Sequence, residues 1–241
     1  MAAAGQIPEK KLELGPIFVQ TLGILNNHRG LLFSLALVGA LPDLILAQID
    51  EPSNRALGFY LVLGSIPQLF VDGLLTFAAL RILAEGSATP GRVLAQLGPE
   101  SGPWFSVGAV YLVVSLLGLF LLVVPGLIAM SALLAAVPAC QAENLSLGDS
   151  LRRSAELTLG HRLRLCGLML FPAIAFGLVQ GVASGLEEAF WGGLRGGPLL
   201  VMDYLFSAFS LAFFGVLGGV VYVELLALRE GGSVRTPADV F

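Results

Sequence analysis

Charge is what this sequence has least of. Of 241 residues, 13 are Lys or Arg and 17 are Asp or Glu, 12% of the chain, against roughly 25% in an ordinary soluble domain. A soluble globule of this size needs more charge than that to cover its surface. A typical soluble enzyme is therefore excluded, as are a disordered chain and a nucleic-acid binder with a basic patch. Histidine and cysteine are scarcer still, at two each. His28 and His161 are the only histidines, and Cys140 and Cys166 lie in or beside apolar segments, where they read as buried thiols rather than metal ligands. No nucleophile–base pair and no phosphate-cradling glycine loop is legible, so no catalytic residue, metal or cofactor is expected. The N-terminus does not read as a signal peptide: residues 1–14 are polar, carry Lys10 and Lys11, and hold no short apolar run ending at a small-residue cleavage site.

What the chain has instead is apolar length. Hydrophobic residues make up 56% and glycine adds 30 more, with a mean hydropathy of +0.86. The fold class is all-α, a polytopic integral membrane protein forming a single membrane domain over 1–241. Crossing a bilayer takes about 20 residues, and stretches nearly free of charge place six spans at 30–49, 56–82, 103–124, 126–142, 163–186 and 198–228. Residues 101–142 carry no charge at all. As helix they would run about 63 Å at 1.5 Å per residue, twice the hydrocarbon thickness, so they cross twice with Val124-Pro125-Gly126 as the turn. The positive-inside rule tests this count. With the N-terminus inside, Lys10, Lys11, Arg29, Arg81, Arg92, Arg152, Arg153, Arg162, Arg164, Arg229 and Arg235 fall inside, and only Arg55 and Arg195 outside. Both termini are expected in the cytoplasm.

Two segments, 14–27 and 147–159, read as amphipathic helices lying in the cytoplasmic interface. The first carries Leu14, Ile17, Phe18, Leu22 and Leu25 at helical spacing. The second carries Leu147, Leu151, Ala155 and Thr158 on one face, opens with a Ser146/Asp149 capping box, and has Arg152 and Glu156 four apart, able to pair. At an offset of 133 residues Leu14-Gly15 meets Leu147-Gly148, and His28-Arg29 meets His161-Arg162. This reads as a weak parallel duplication of an interfacial helix followed by two spans, a pattern that occurs in transporters without being specific to them.

Three sets of residues are candidates for function. Asp43 and Asp72 are acids inside spans, about 10 Å and about 24 Å from their shared outer loop at 1.5 Å per residue. Such acids are costly in a bilayer; they read as a proton or cation site, as structural acids bonding backbone freed at Pro42 or Pro67, or as acids kept protonated. His28, Arg29, Arg152, Arg153, His161 and Arg162 lie at headgroup level and are candidates for phosphate contact. Gly177, Gly181 and Gly185 on the fifth span, with Gly215 and Gly219 on the sixth, are spaced for close helix packing, between those two helices or across a homodimer.

The run Asp149-Ser150-Leu151-Arg152-Arg153-Ser154-Ala155-Glu156-Leu157-Thr158-Leu159-Gly160-His161-Arg162 resembles the glycerophosphoryl diester phosphodiesterase membrane-domain family and related bacterial six-helix membrane proteins. Val124-Pro125-Gly126, Val137-Pro138 and Tyr222-Val223-Glu224-Leu225 share the likeness. Ala155 and Leu159 depart from the tryptophan and basic residue often found there. The resemblance implies a bacterial inner-membrane domain. In some relatives it precedes a phosphodiesterase domain; this chain ends at Phe241 without one, so the diesterase activity is not carried over. His28-Arg29-Gly30 also occurs in the active site of glycerophosphodiester phosphodiesterases, but the acidic motif that accompanies it there is missing. The functional expectation is a non-enzymatic scaffold or membrane-homeostasis protein whose partners are membrane lipids and helices, with no nucleic acid. The alternative is a small transporter or channel using Asp43 and Asp72.

Overall fold

The computed structural model describes residues 12–47, 65–98, 101–121, 123–191 and 198–229. Every regular element among them is a helix: α1 (Leu14–Asn27), α2 (Arg29–Gly39), α3 (Leu41–Ala47), α4 (Ser65–Glu85), α5 (Pro90–Ala95), α6 (Ser101–Leu121), α7 (Val123–Leu133), α8 (Ala136–Glu143), α9 (Leu147–Thr158), α10 (Arg162–Trp191) and α11 (Pro198–Arg229). Four stretches are long and apolar enough to cross a membrane: Ser65–Glu85, Val124–Glu143, Arg162–Leu186 and Leu200–Arg229. Two further apolar helices, Arg29–Gly39 and Ser101–Ser115, are shorter.

Proline explains where the expected spans break. The region expected to cross at 30–49 is two short helices hinged at Ala40, because Pro42 has no N–H to donate back to Val38; Ala40 closes α2 by bonding the Ala36 carbonyl at 2.9 Å. Residues 48–64, which hold the start of the second expected span, lie outside the described residues. Pro138 likewise has no N–H for Leu134, and the fourth span bends between α7 and α8. Pro125 and Gly126 do not form the turn expected of them. α6 ends at Leu121 and α7 opens at Val123, so Pro125 falls in the first turn of α7, where a missing N–H costs nothing. Gly118 and Gly126 bring α6 and α7 together: a Cβ on Gly118 would sit 2.6 Å from the Gly126 Cα.

The core is built around α4 and α11. Over their apolar windows these are 56% and 67% buried, against 17% for α10, which places α10 at the rim. Gly215 and Gly219 of α11 face Leu75 and Ala79 of α4 so closely that added Cβ atoms would come within 2.7 and 3.1 Å, and the Thr76 hydroxyl donates to the Gly215 carbonyl at 3.1 Å. Small residues at a crossing let backbones approach, and an interhelical hydrogen bond there adds about 0.6–2 kcal/mol. Gly73 of α4 takes the Trp104 ring of α6 on its open face, and Gln141 of α8 donates to the Gly73 carbonyl at 2.9 Å.

The expected glycine packing between α10 and α11 is not there. Cβ atoms at Gly177, Gly181 and Gly185 would meet nothing within 4 Å. The reason is bulk on the opposite face. Phe176 of α10 sits edge-on against Phe206, Phe209, Phe213 and Phe214 of α11, with centroids 5.5–5.8 Å apart. Rings hold these two helices together at a separation that leaves the α10 glycines facing outward.

α1 and α9 form where the sequence places them, and they bury the expected faces only in part: Ile17 and Leu25 of α1 and Thr158 of α9 are buried, while other members are not. Leu22 is 48% exposed and Leu147 36%. The buried residues are Ile17, Thr21, Ile24 and Leu25 on α1, and Ser150, Ser154, Leu157 and Thr158 on α9. Each member of the second set lies 133 residues after a member of the first. The junctions match as well. The His28 carbonyl accepts from Leu32 at 3.2 Å, and the His161 carbonyl accepts from Leu165 at 3.0 Å, with both leucines fully buried. On α9 the small hydroxyl face has a local task. Ser154 donates to the Ala132 carbonyl at 2.8 Å and Thr158 approaches it at 3.4 Å, satisfying a backbone acceptor at the α7–α8 bend that a leucine face would leave bare.

Candidate functional site

The cations expected on the cytoplasmic side come first, because lipid contact was expected of them. Ser146 caps α9 as the sequence implies, exchanging bonds with Asp149 at 2.6 and 3.4 Å. Arg152 pairs with Glu156 at 2.9 Å on the exposed face, and that carboxylate raises the Arg152 pKa above its ordinary value. Most of the other cations are committed to the fold. Arg153 pairs with Glu143 at 2.9 Å, and the same Glu143 oxygen accepts the Tyr222 hydroxyl at 2.8 Å, joining α8, α9 and α11. Arg162 donates to the Ala155 carbonyl at 3.3 Å and Arg164 to the Leu12 carbonyl at 3.1 Å. Arg229 donates to the carbonyls of Glu156 and Leu159 at the end of α9. Cations at a helix C-terminus satisfy its last carbonyls and its dipole. His28 and His161 are partly buried at the junctions, and Arg29 is exposed. Gly160, at φ +89°, makes the turn between α9 and α10 that a residue with a Cβ would resist.

The two acids expected inside spans have different surroundings. Asp43 opens α3, where it accepts Gln68 Nε2 at 3.0 Å on one oxygen and Ser207 Oγ at 2.5 Å on the other. It joins α3, α4 and α11 and reads as a structural acid. Asp203 is likewise bonded, accepting from Gln180 of α10.

Asp72 has no hydrogen-bond donor and no cation on it among the described residues. Its carboxylate lies against α11, where a Cβ on Gly215 would come within 3.2 Å of Oδ1. It lines a partly open cavity of about 340 Å³. The walls come from α4 (Asp72, Thr76), α6 (Tyr111), α7 and α8 (Leu127 to Pro138), α10 (Cys166 to Ala173) and α11 (Phe214 to Gly218), and they are mostly apolar. Thr76 and Cys166 have their hydrogens committed to backbone, the thiol to the Leu127 carbonyl at 3.3 Å. Tyr111 lies within electrostatic reach of Asp72. Asp43 is not on the cavity wall, so the structure does not bring the two acids together. Among the described residues no group of three His, Cys, Asp or Glu could hold a metal ion. An apolar chamber with a single carboxylate in its wall is suited to binding.

No protein family, curated protein or solved structure matches the chain.

Tyr111 and the Glu143–Arg153–Tyr222 junction were missed from sequence. Tyr111 carried one usable signal, a polar aromatic in an otherwise uncharged stretch of 42 residues. The junction carried none, since its members are 10 and 79 residues apart.

Proposed function

We propose that this chain is a six-span protein of a bacterial inner membrane, with both termini cytoplasmic, and that it binds and carries a small amphipathic molecule at the Asp72 cavity without changing it chemically. One observation carries this reading: an acid within a candidate span, unbonded among the described residues, on the wall of an apolar cavity large enough for a ligand. Asp43 drops out of the transport site because Gln68 and Ser207 already bond it. The eleven-to-two distribution of cations supports the topology. The equal burial of α1 and α9 at an offset of 133 supports a parallel repeat. The resemblance to the diesterase membrane-domain family supports the six-helix architecture and says nothing of activity. Lipid headgroup contact falls to Arg29 and Arg152, the exposed members of the basic set.

The cavity is tested by photolabelling with a diazirine-bearing neutral alcohol. Saturable adducts are expected on the α7 and α10 walls, and Gly218→Leu, which fills the cavity from α11, should suppress them. Equal labelling of that variant would remove the cavity reading. Topology is checked in a Cys140→Ala, Cys166→Ala background. A cysteine at position 55 should react with an impermeant maleimide added to intact cells, and one at position 235 should not.

A further inference from the structure

We propose that the cavity selects a lipophilic organic cation, an ammonium or phosphonium with an apolar body, held by its charge against Asp72. The inference rests on the cavity reading above and adds the ligand's charge.

The argument is one of elimination by chemistry. A carboxylate in an apolar wall stays ionised only with water, a counter-charge or several donors on it, and otherwise takes up a proton; a bound cation is what holds it charged when the cavity is filled. No such group is bonded to Asp72 among the described residues: the Thr76 hydroxyl bonds Gly215, the Cys166 thiol bonds Leu127, and Tyr111, though within electrostatic reach, makes no hydrogen bond to it. The next cation on the same helix, Arg81, is nine residues on, about 13.5 Å at 1.5 Å per residue, and pairs with Glu85 at 2.5 Å. A bare metal ion does not fit, because it requires several oxygen, nitrogen or sulfur ligands and this wall offers one carboxylate among mostly apolar groups. An anion would be repelled. A neutral hydrocarbon would fill the apolar walls and leave the acid unpaired. A lipophilic cation satisfies both parts of the site. Its body meets leucines and the flexible thioethers of Met130 and Met169, which adapt to varied shapes, and the aromatic residues Tyr111 and Phe214 are part of the same wall. A volume of about 340 Å³ lies within the range of small-molecule pockets.

The experiment uses the full chain in neutral detergent micelles and two near-isosteric probes, tetraphenylphosphonium and tetraphenylborate. Equilibrium dialysis is run with protein-free micelles subtracted. Saturable binding of the cation is expected, with the anion and the Asp72→Asn variant each weaker by about tenfold or more. Gly218→Leu should abolish binding of either probe. Equal affinity for both ions, or cation binding that survives Asp72→Asn in a variant with wild-type elution and melting, overturns the cation proposal and leaves the cavity standing. Cation binding unchanged by Gly218→Leu places the probe elsewhere and overturns both readings. No saturable binding of the cation also overturns the proposal.

Discussion

A single methyl group on Gly215 tests the packing on which the core and the cavity depend. In Gly215→Ala the new Cβ would lie 2.7 Å from Leu75 Cβ, 3.2 Å from Asp72 Oδ1 and 3.4 Å from Leu75 Cδ1. Carbon atoms rest at about 3.5–4.0 Å, and the first neighbour is a Cβ, which moves only with its backbone. α4 and α11 must therefore separate, stretching the Thr76–Gly215 bond now at 3.1 Å. Overpacking of this kind costs about 1–3 kcal/mol, offset by at most about 1 kcal/mol from the better helix propensity of alanine. With the full offset the net cost is up to about 2 kcal/mol, which at about 2–4 °C per kcal/mol for a chain of this size is a loss of up to about 8 °C in melting temperature. Two controls sit on the same helix. Gly219→Ala meets Ala79 Cβ at 3.1 Å, and Gly218→Ala meets only Thr76 Oγ1 at 4.0 Å. The melting order, read by size-exclusion chromatography after heating in detergent, should be Gly215→Ala lowest, Gly219→Ala between, and Gly218→Ala at or above the parent. If Gly218→Ala falls as far as Gly215→Ala, the losses are not set by Cβ clearance and the reasoning fails.

Tyr222→Phe removes a hydroxyl bonded to a carboxylate and should lower stability by about 1.5–3 kcal/mol; a loss no larger than that of an exposed control would show that Arg153 alone holds Glu143. Ser154→Ala and Thr158→Val both withdraw donors from the Ala132 carbonyl. Because either hydroxyl can serve it, the double variant should lose more than the sum of the singles in a double-mutant cycle, and strict additivity would argue against a shared acceptor. Phe176→Ala should cost about 1–3 kcal/mol, less than a full core site because Phe176 is only partly buried, and free α10 from the bundle, seen as faster proteolysis between α10 and α11; unchanged cleavage and melting would deny the phenylalanine interface.

Features that depend on neighbours in sequence were legible, and those that depend on distant partners were not. The Ser146–Asp149 cap and the Arg152–Glu156 pair follow from three- and four-residue spacing, so the start and exposed face of α9 could be read directly. Its buried face could not. A leucine stripe says only which side is apolar, whereas the face actually buried answers the Ala132 carbonyl 22 and 26 residues away. Glycine spacing had the same weakness. Gly177, Gly181 and Gly185 look as ready to pack as Gly215 and Gly219, and the decision lay in Phe176, which keeps α10 off α11 by the bulk of its ring. The intramembrane acids were visible at once because a charge in a span stands out. Telling them apart required knowing that Ser207, 164 residues from Asp43, bonds one and not the other.

The proposed repeat sharpens that distinction. Position 43 in the first copy corresponds to position 176 in the second, 133 residues on. Both link the second unit of their copy to its neighbour in the bundle. Asp43 does it with hydrogen bonds to Gln68 and Ser207, and Phe176 with rings. An acid at position 43 is thus the polar counterpart of an aromatic packing residue, which explains why its bonds are filled. Asp72 corresponds to Leu205, which is 51% exposed. Its second-copy counterpart is apolar and outward-facing, so nothing in the repeat's own packing calls for a carboxylate there. The repeat therefore leaves Asp72 without a packing role, which is what the cation-binding proposal sets out to explain.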